Sequence, residues 1–208
     1  MKRGLLIIVS GFSGAGKGAI VKGLISKYDK YALSVSATTR NPRNGEQNGK
    51  DYFFITKEDF ETKISNEDFL EYAKYVDNYY GTPKDYVDSM RDSGKDVILE
   101  IEMQGAMKVK SIIPDAVTVF VTTKDADTLY KRLSGRGTET PEQVEKRLIR
   151  AAEETEYMSQ YDYLLVNDNL SEAIDNLNAI VRCEHCKSKF NKEFISSIKE
   201  DLSNKFGH

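Results

Sequence analysis

The chain has 208 residues, 30 Lys+Arg against 33 Asp+Glu for a net charge of −3, two histidines and two cysteines. That length suits one compact α/β unit with insertions, and a charge so near zero provides no global field for nucleic acid or an anionic membrane. Neither kind of partner is expected, and no apolar stretch approaches the ~20 residues of a membrane-spanning helix.

The apolar run after Met1-Lys2-Arg3 is too short for a signal peptide and ends in a glycine loop. Two cysteines cannot staple a chain of this size, so a reducing, cytoplasmic location is expected. His185 and His208 both lie near the C-terminus, which leaves catalysis to carboxylates, Lys, Arg and bound metal.

Leu5 to Val9 reads as a strand, and Gly11-Phe12-Ser13-Gly14-Ala15-Gly16-Lys17-Gly18 as a turn into a helix running from Ala19 to Lys27. Glycines aim backbone N–H groups inward, the helix adds the positive end of its dipole and Lys17 a mobile cation, so a polyphosphate is the natural occupant. The hydroxyl expected after the lysine as a Mg²⁺ ligand is missing, because positions 18 and 19 are Gly18 and Ala19.

Leu33 to Ala37 alternates as a short strand and opens into a loop carrying Arg40 and Arg43, punctuated by Pro42 and Gly45. Asp51 to Ile55 and Phe69 to Val76 read as strands, with a helix from Lys57 to Ile64 capped by Thr56 between them. Thr82 before Pro83 predicts an N-cap for a helix to about Ser93, after the turn Tyr79 to Pro83. Residues 34–94 therefore form a small, mainly antiparallel α+β insertion. Arg40 and Arg43 with the phenols of Tyr52 and Tyr80 offer a second anion site. Beside it, Glu71 and the hydroxyls of Ser36 and Thr82 offer acceptors that suit the N1 and 2-amino donors of guanine.

The parallel core resumes with a strand from Val97 to Glu102, a helix from Gly105 to Ile112 and a strand from Val117 to Thr122. Glu100 and Glu102, two apart on that first strand, project from one face; a Mg²⁺ held through water by one carboxylate and phosphate oxygens fits them, as does a solvated strand end. A helix from Asp125 to Ser134 reaches a glycine hinge, and Thr140-Pro141-Glu142-Gln143 has the form of a capping box that starts a long helix toward Gln160. Arg132 and Arg136, then Arg147 and Arg150, give each helix a guanidinium pair, either for a transferring phosphoryl group or as an ordinary charged face beside Glu145 and Glu153. Tyr163 to Val166 is the last strand, and a final helix starts near Ser171. Cys183-Glu184-His185-Cys186 supplies at most three ligands where structural zinc wants four, so reduced surface thiols are expected. Phe190, Phe194, Ile198, Leu202 and Phe206 form a stripe expected to pack on its own domain.

Taken in order, Ser34 through Glu46, Gly49-Lys50-Asp51-Tyr52, Tyr79-Tyr80-Gly81-Thr82, Met103-Gln104-Gly105-Ala106 and Arg132 through Glu139 resemble the guanylate kinase family over about residues 4–182. The resemblance implies an α/β fold: a three-layer core of P-loop NTPase type with a parallel sheet, an α+β GMP-binding insertion and a helical lid. It divides the chain into an ATP-binding core (1–33, 95–124, 161–182), the insertion (34–94), the lid (125–160) and a tail (183–208) outside the likeness. The implied activity is phosphoryl transfer from ATP to GMP with Mg²⁺, in purine nucleotide metabolism, with dGMP left open as a second acceptor.

The resemblance also distributes roles over this sequence. ATP falls to Ser13, Gly14, Ala15, Gly16, Lys17, Gly18, Ala19 and Arg132, with Asn167 where the family contacts adenine. GMP falls to Ser36, Arg40, Arg43, Glu46, Tyr52, Glu71, Tyr80, Thr82 and Glu102. Lys17, Arg43, Arg136 and Arg147 are catalytic, Arg150 supports them, and Glu102 is the metal-side carboxylate, acting through water. Family members commonly carry Asp where Glu102 stands and a hydroxyl at 18 or 19. Two other readings are a non-catalytic, peptide-binding module of the same fold and a regulatory GTPase; the first does not require the cradle lysine and lid arginines, and the second lacks an Asn-Lys-x-Asp segment.

Overall fold

The computed structural model describes residues 2–135 and 140–207. Along the chain run β1 (Leu6–Gly11), α1 (Lys17–Lys27), β2 (Tyr31–Leu33), β3 (Ala37–Thr38), β4 (Phe53–Phe54), α2 (Lys57–Ser65), β5 (Phe69–Tyr75), β6 (Asn78–Pro83), α3 (Lys84–Asp92) and β7 (Asp96–Glu100). They are followed by α4 (Met103–Ile112), β8 (Val117–Thr122), α5 (Ala126–Ser134), α6 (Pro141–Glu154), β9 (Tyr163–Val166), α7 (Leu170–His185) and α8 (Lys192–Phe206).

Leu5 through Val9 are each at most 3% exposed, so β1 is covered on both faces. An unbroken apolar run of this kind belongs to the middle of a parallel sheet with helices on either side. β1 indeed pairs in parallel with β7 and β8, in a five-stranded sheet of order β2-β7-β1-β8-β9. Helix α1 lies against α7, while α4 packs on β1 and β8, giving the three-layer core. Edge-to-face contacts of Phe120 with Phe12 (5.0 Å) and Tyr161 (5.1 Å) tie the loop after β1 to this core.

The second sheet, of order β4-β3-β6-β5, is antiparallel in its β3–β6 and β5–β6 pairs and parallel between β3 and β4. Its small core centres on Phe60, fully buried between the rings of Phe69 at 4.4 Å and Tyr79 at 5.2 Å.

Several elements differ from the sequence expectation for physical reasons. Leu33 to Ala37 is not one strand: β2 ends at Leu33 on the first sheet, Ser34 N–H donates to Ile98 O at 2.8 Å, and Ala37 opens β3 on the second. Thr82 does not cap a helix. β6 runs through Pro83, α3 begins at Lys84, and the buried Thr82 hydroxyl donates to Oε1 of Glu71 across the sheet at 2.7 Å. A carboxylate covered by protein needs a donor more than an exposed helix end needs a cap. β7 stops at Glu100, because α4 starts at Met103 with Glu102 at its N-cap position. Past Glu154 α6 tightens into a 3₁₀ turn, Thr155–Gln160.

The expected capping box at Thr140 is present, with Gln143 answering through its side chain at 2.9 Å. The tail departs most. Phe190 packs on the core, but Phe194, Ile195, Ile198, Leu202 and Phe206 are 44–74% exposed and α8 buries no residue. The chain is pinned just before α8: His185 Nε2 lies 2.8 Å from the buried Asp96 carboxylate, and Asn191 Nδ2 donates to His185 O at 2.8 Å. Beyond that anchor every residue of α8 is exposed. Cys183 and Cys186 are free and exposed, and no cluster of three His, Cys, Asp or Glu suited to a metal occurs among the described residues.

Candidate active site

The loop between β1 and α1 closes around Ala15. Gly16 has φ +92, and a β-carbon there would meet Asn167 Nδ2 at 2.4 Å, so only glycine fits. Asn167 Nδ2 donates to Ala15 O at 2.8 Å, Arg132 Nη1 donates to the same oxygen at 3.1 Å, and Arg132 Nη2 donates to Asn167 O at 2.8 Å. These two residues brace the cradle from behind; Asn167 is buried and does not line the cleft in front. Helix α1 starts at Lys17 with no side-chain cap and no acidic residue in its first turn, which leaves its N-terminal N–H groups for an anion. Lys17 Nζ donates to Gly11 O at 2.7 Å and Phe12 O at 3.1 Å, folding the ammonium over the loop. Gly14, Gly18 and Ala19 line the turn and the exposed first turn of α1.

In the insertion, Glu46 binds Arg40 through both oxygens at 2.9 Å and accepts the Arg43 N–H at 2.7 Å. Arg40 and the Arg43 amide hold the Glu46 carboxyl down to about 2, so this carboxylate shapes the arginine loop from within. The Arg40 guanidinium sits 5.3 Å above the Tyr52 ring, which meets Tyr80 edge-on at 6.1 Å. Arg43 itself is exposed on the loop. Behind Thr82, the Glu71 carboxylate passes close to α4, where a β-carbon on Gly105 would lie 3.0 Å from Oε2. Burial pushes the Glu71 carboxyl up against the opposing pull of the Thr82 hydroxyl and Lys108.

The cradle and the insertion face each other across a cleft of about 670 Å³ lined by Ser13 and Lys17 on one side and Ser36, Tyr52 and Thr82 on the other. At its floor β7 ends in Glu100, whose carboxylate oxygens are 3.5 and 3.6 Å from where a β-carbon on Gly18 would stand. Desolvation raises the Glu100 carboxyl and Lys17 lowers it. Glu102 does not share a strand face with it: Glu102 lies past the strand, and its Oε2 accepts from Arg150 Nη2 at 2.9 Å. From α6, Arg147 Nη1 donates to Ser13 Oγ at 3.2 Å, reaching from helix to cradle. Arg136 lies outside the described residues.

A profile of the family described as "Guanylate kinase" matches residues 3–184. The chain belongs to the guanylate kinase family. It is 49% identical over 199 residues to the guanylate kinase of Clostridium perfringens (strain SM101 / Type A), covering 96% of this chain and 92% of that protein. The guanylate kinase of Caldanaerobacter subterraneus subsp. tengcongensis is 46% identical over 200 residues, covering 96% and 97%. Among solved structures, that of guanylate kinase from Anaplasma phagocytophilum superimposes with a TM-score of 0.74 at 28% identity, covering 100% of this chain and 98% of that one. The fold is accordingly the P-loop NTPase-type α/β core, and the chain is a nucleotide-binding kinase.

Of the residues expected in a guanylate kinase site, the cleft gathers Ser13, Lys17, Ser36, Tyr52, Thr82, Glu102, Arg147 and Arg150. Arg40, Glu46, Glu71 and Tyr80 do not line it, and neither do Arg132 and Asn167. Glu154 went unread in the sequence, yet it lines the cleft with Arg150 Nε 3.1 Å from its Oε1. Its one sequence signal is the spacing of four from Arg150. Ser34 and Asp51 also line the cleft; both lie in stretches that carry the family resemblance, but neither was given a role.

Proposed function

We propose that this chain transfers the γ-phosphoryl group of ATP to GMP, giving ADP and GDP, within purine nucleotide metabolism and in the cytoplasm. The observation that carries the reading is one cleft with a phosphate cradle on one wall and Ser36, Tyr52 and Thr82 of the insertion on the other. Phosphoryl transfer asks little covalent help, so holding donor and acceptor in line is most of the work. In this reading the cradle N–H groups and Lys17 hold the donor phosphates, with Arg147 and Arg136 meeting charge on the transferring group. Arg40, Arg43, Tyr52 and Tyr80 hold the acceptor phosphate, and Glu71, Thr82 and Ser36 select guanine. The core, insertion and lid keep the boundaries 1–33 with 95–124 and 161–182, 34–94, and 125–160.

For Mg²⁺, the Glu100 carboxylate beside Gly18 supplies the hard oxygen donor that the missing hydroxyl at 18 or 19 does not, completed by water and phosphate oxygens. When bound, the ion neutralises charge on the nucleotide phosphates. Glu102, already bonded to Arg150, is assigned a secondary part. A peptide-binding module without catalysis would have no use for Lys17 or the Arg147–Ser13 contact. The deciding experiment is a coupled ADP-release assay with ATP, Mg²⁺ and GMP, dGMP, AMP, CMP or UMP. GMP-dependent turnover well above that with AMP, CMP and UMP is expected; none with GMP would end the proposal.

A further inference from the structure

Glu154 stands where burial disfavours a carboxylate. It is the last residue of α6, where the chain runs on into the 3₁₀ turn Thr155–Gln160, and the last turn of α6 has no Lys, Arg or His. Its side chain is only 15% exposed, so much of its hydration is lost. Burial pushes its carboxyl up, and Arg150 and Lys17 draw it back. The compensating group is Arg150, one turn earlier on the same helix, which donates Nε to Glu154 at 3.1 Å and Nη2 to Glu102 at 2.9 Å.

The two contacts of Arg150 are unequal. Arg150 and Glu102 are 56% and 75% exposed, and an ion pair so wet contributes little and does not hold a long side chain in one place. Fixing a free arginine costs rotamer entropy. The covered carboxylate at 154 restrains the guanidinium in advance, and its burial makes release of that cation unfavourable. Glu154, Arg150 and Glu102 all line the cleft that holds Lys17.

We propose that Glu154 is a positioning residue that holds the Arg150 guanidinium over the cleft, so that α6 stays tied to Glu102 on the core side while the phosphoryl group moves. The proposal rests on the phosphotransfer reading above. In this role Glu154 acts through Arg150.

The test is a double-mutant cycle on the full chain, with kcat and KM for ATP and GMP and thermal melting for each variant. Glu154→Ala and Arg150→Ala are each expected to lower kcat roughly tenfold, to leave KM for GMP within about twofold, and in combination to lose no more than the worse single variant. Glu154→Gln retains an acceptor for Nε without the charge and is expected between wild type and Glu154→Ala; it carries the comparison if the alanine variant does not fold. A second readout is the ¹⁵Nε–H resonance of Arg150, identified by its loss in Arg150→Lys. Its exchange with water should be several-fold faster in Glu154→Ala than in wild type. Additive losses in the double variant, or an unchanged Nε–H exchange rate, overturn the proposal. Absence of GMP-dependent turnover in the unaltered chain overturns the phosphotransfer reading and this proposal with it, whereas turnover with an additive cycle overturns this one alone.

Discussion

Glu71 shows what it costs to bury a carboxylate. Its carboxylate is buried, accepts from Thr82 at 2.7 Å, and is raised above the ordinary 4.5 by desolvation. A carboxyl raised on folding adds most stability when protonated, and that contribution is lost as pH rises from 4.5 through the folded value. Glu71→Gln keeps the acceptor for Thr82 and removes the buried charge. It should melt higher than wild type at neutral pH, with the gap closing as pH falls toward 4.5. In the same variant KM for GMP should rise roughly 10- to 100-fold, the usual worth of a hydrogen bond to a charged group, while KM for ATP stays put. Equal loss for both nucleotides would remove Glu71 from base selection. The residue was legible in the sequence as a carboxylate near two hydroxyls, but its partner Thr82 looked like a helix cap. The register that sets Glu71 opposite Thr82 is a long-range property of the β5–β6 pair.

Among the elements, α6 and α8 teach opposite lessons. The start of α6 was readable because a capping box is a contact among neighbours, Thr140 with Gln143. The fate of α8 was not, since an apolar stripe states that burial is favourable without stating that anything lies within reach. Its large side chains remain exposed and none of its residues is buried. Removing residues 192–208 should therefore leave the melting temperature within about 2 °C, the range of surface changes in a chain of this size. Differential scanning calorimetry checks this, and a fall of more than about 5 °C would mean that the helix packs against the body.

At the scale of the molecule, the carboxyl edge of the parallel sheet decides where charge gathers. β7 neighbours β1, so Glu100 at its end comes to the cradle, whereas Glu102, two residues further on, belongs to α4 and the Arg150 contact. Glu100→Gln should raise the Mg²⁺ concentration for half-maximal rate by tenfold or more, an order-of-magnitude expectation for losing a charged ligand, and Glu102→Gln by much less. Titration calorimetry of Mg²⁺ with the ATP complex gives the same comparison without turnover. The reverse ranking would return the metal to Glu102.

The sequence by itself determined what depends on neighbours and on order: the buried strand β1, the glycine turn and Lys17, the capping box, and a series of spaced motifs that resembles one family. Contacts within a few residues are encoded by spacing, and a run of such motifs in one order rarely arises by accident. The tertiary structure alone decided which partner each side chain meets. It turned Asn167 and Arg132 into braces on Ala15, made Thr82 the donor to Glu71, separated Glu100 from Glu102, brought Glu154 into the cleft and left α8 unpacked. Each of these turns on distance between segments far apart in the chain, and burial, not local preference, sets its energy.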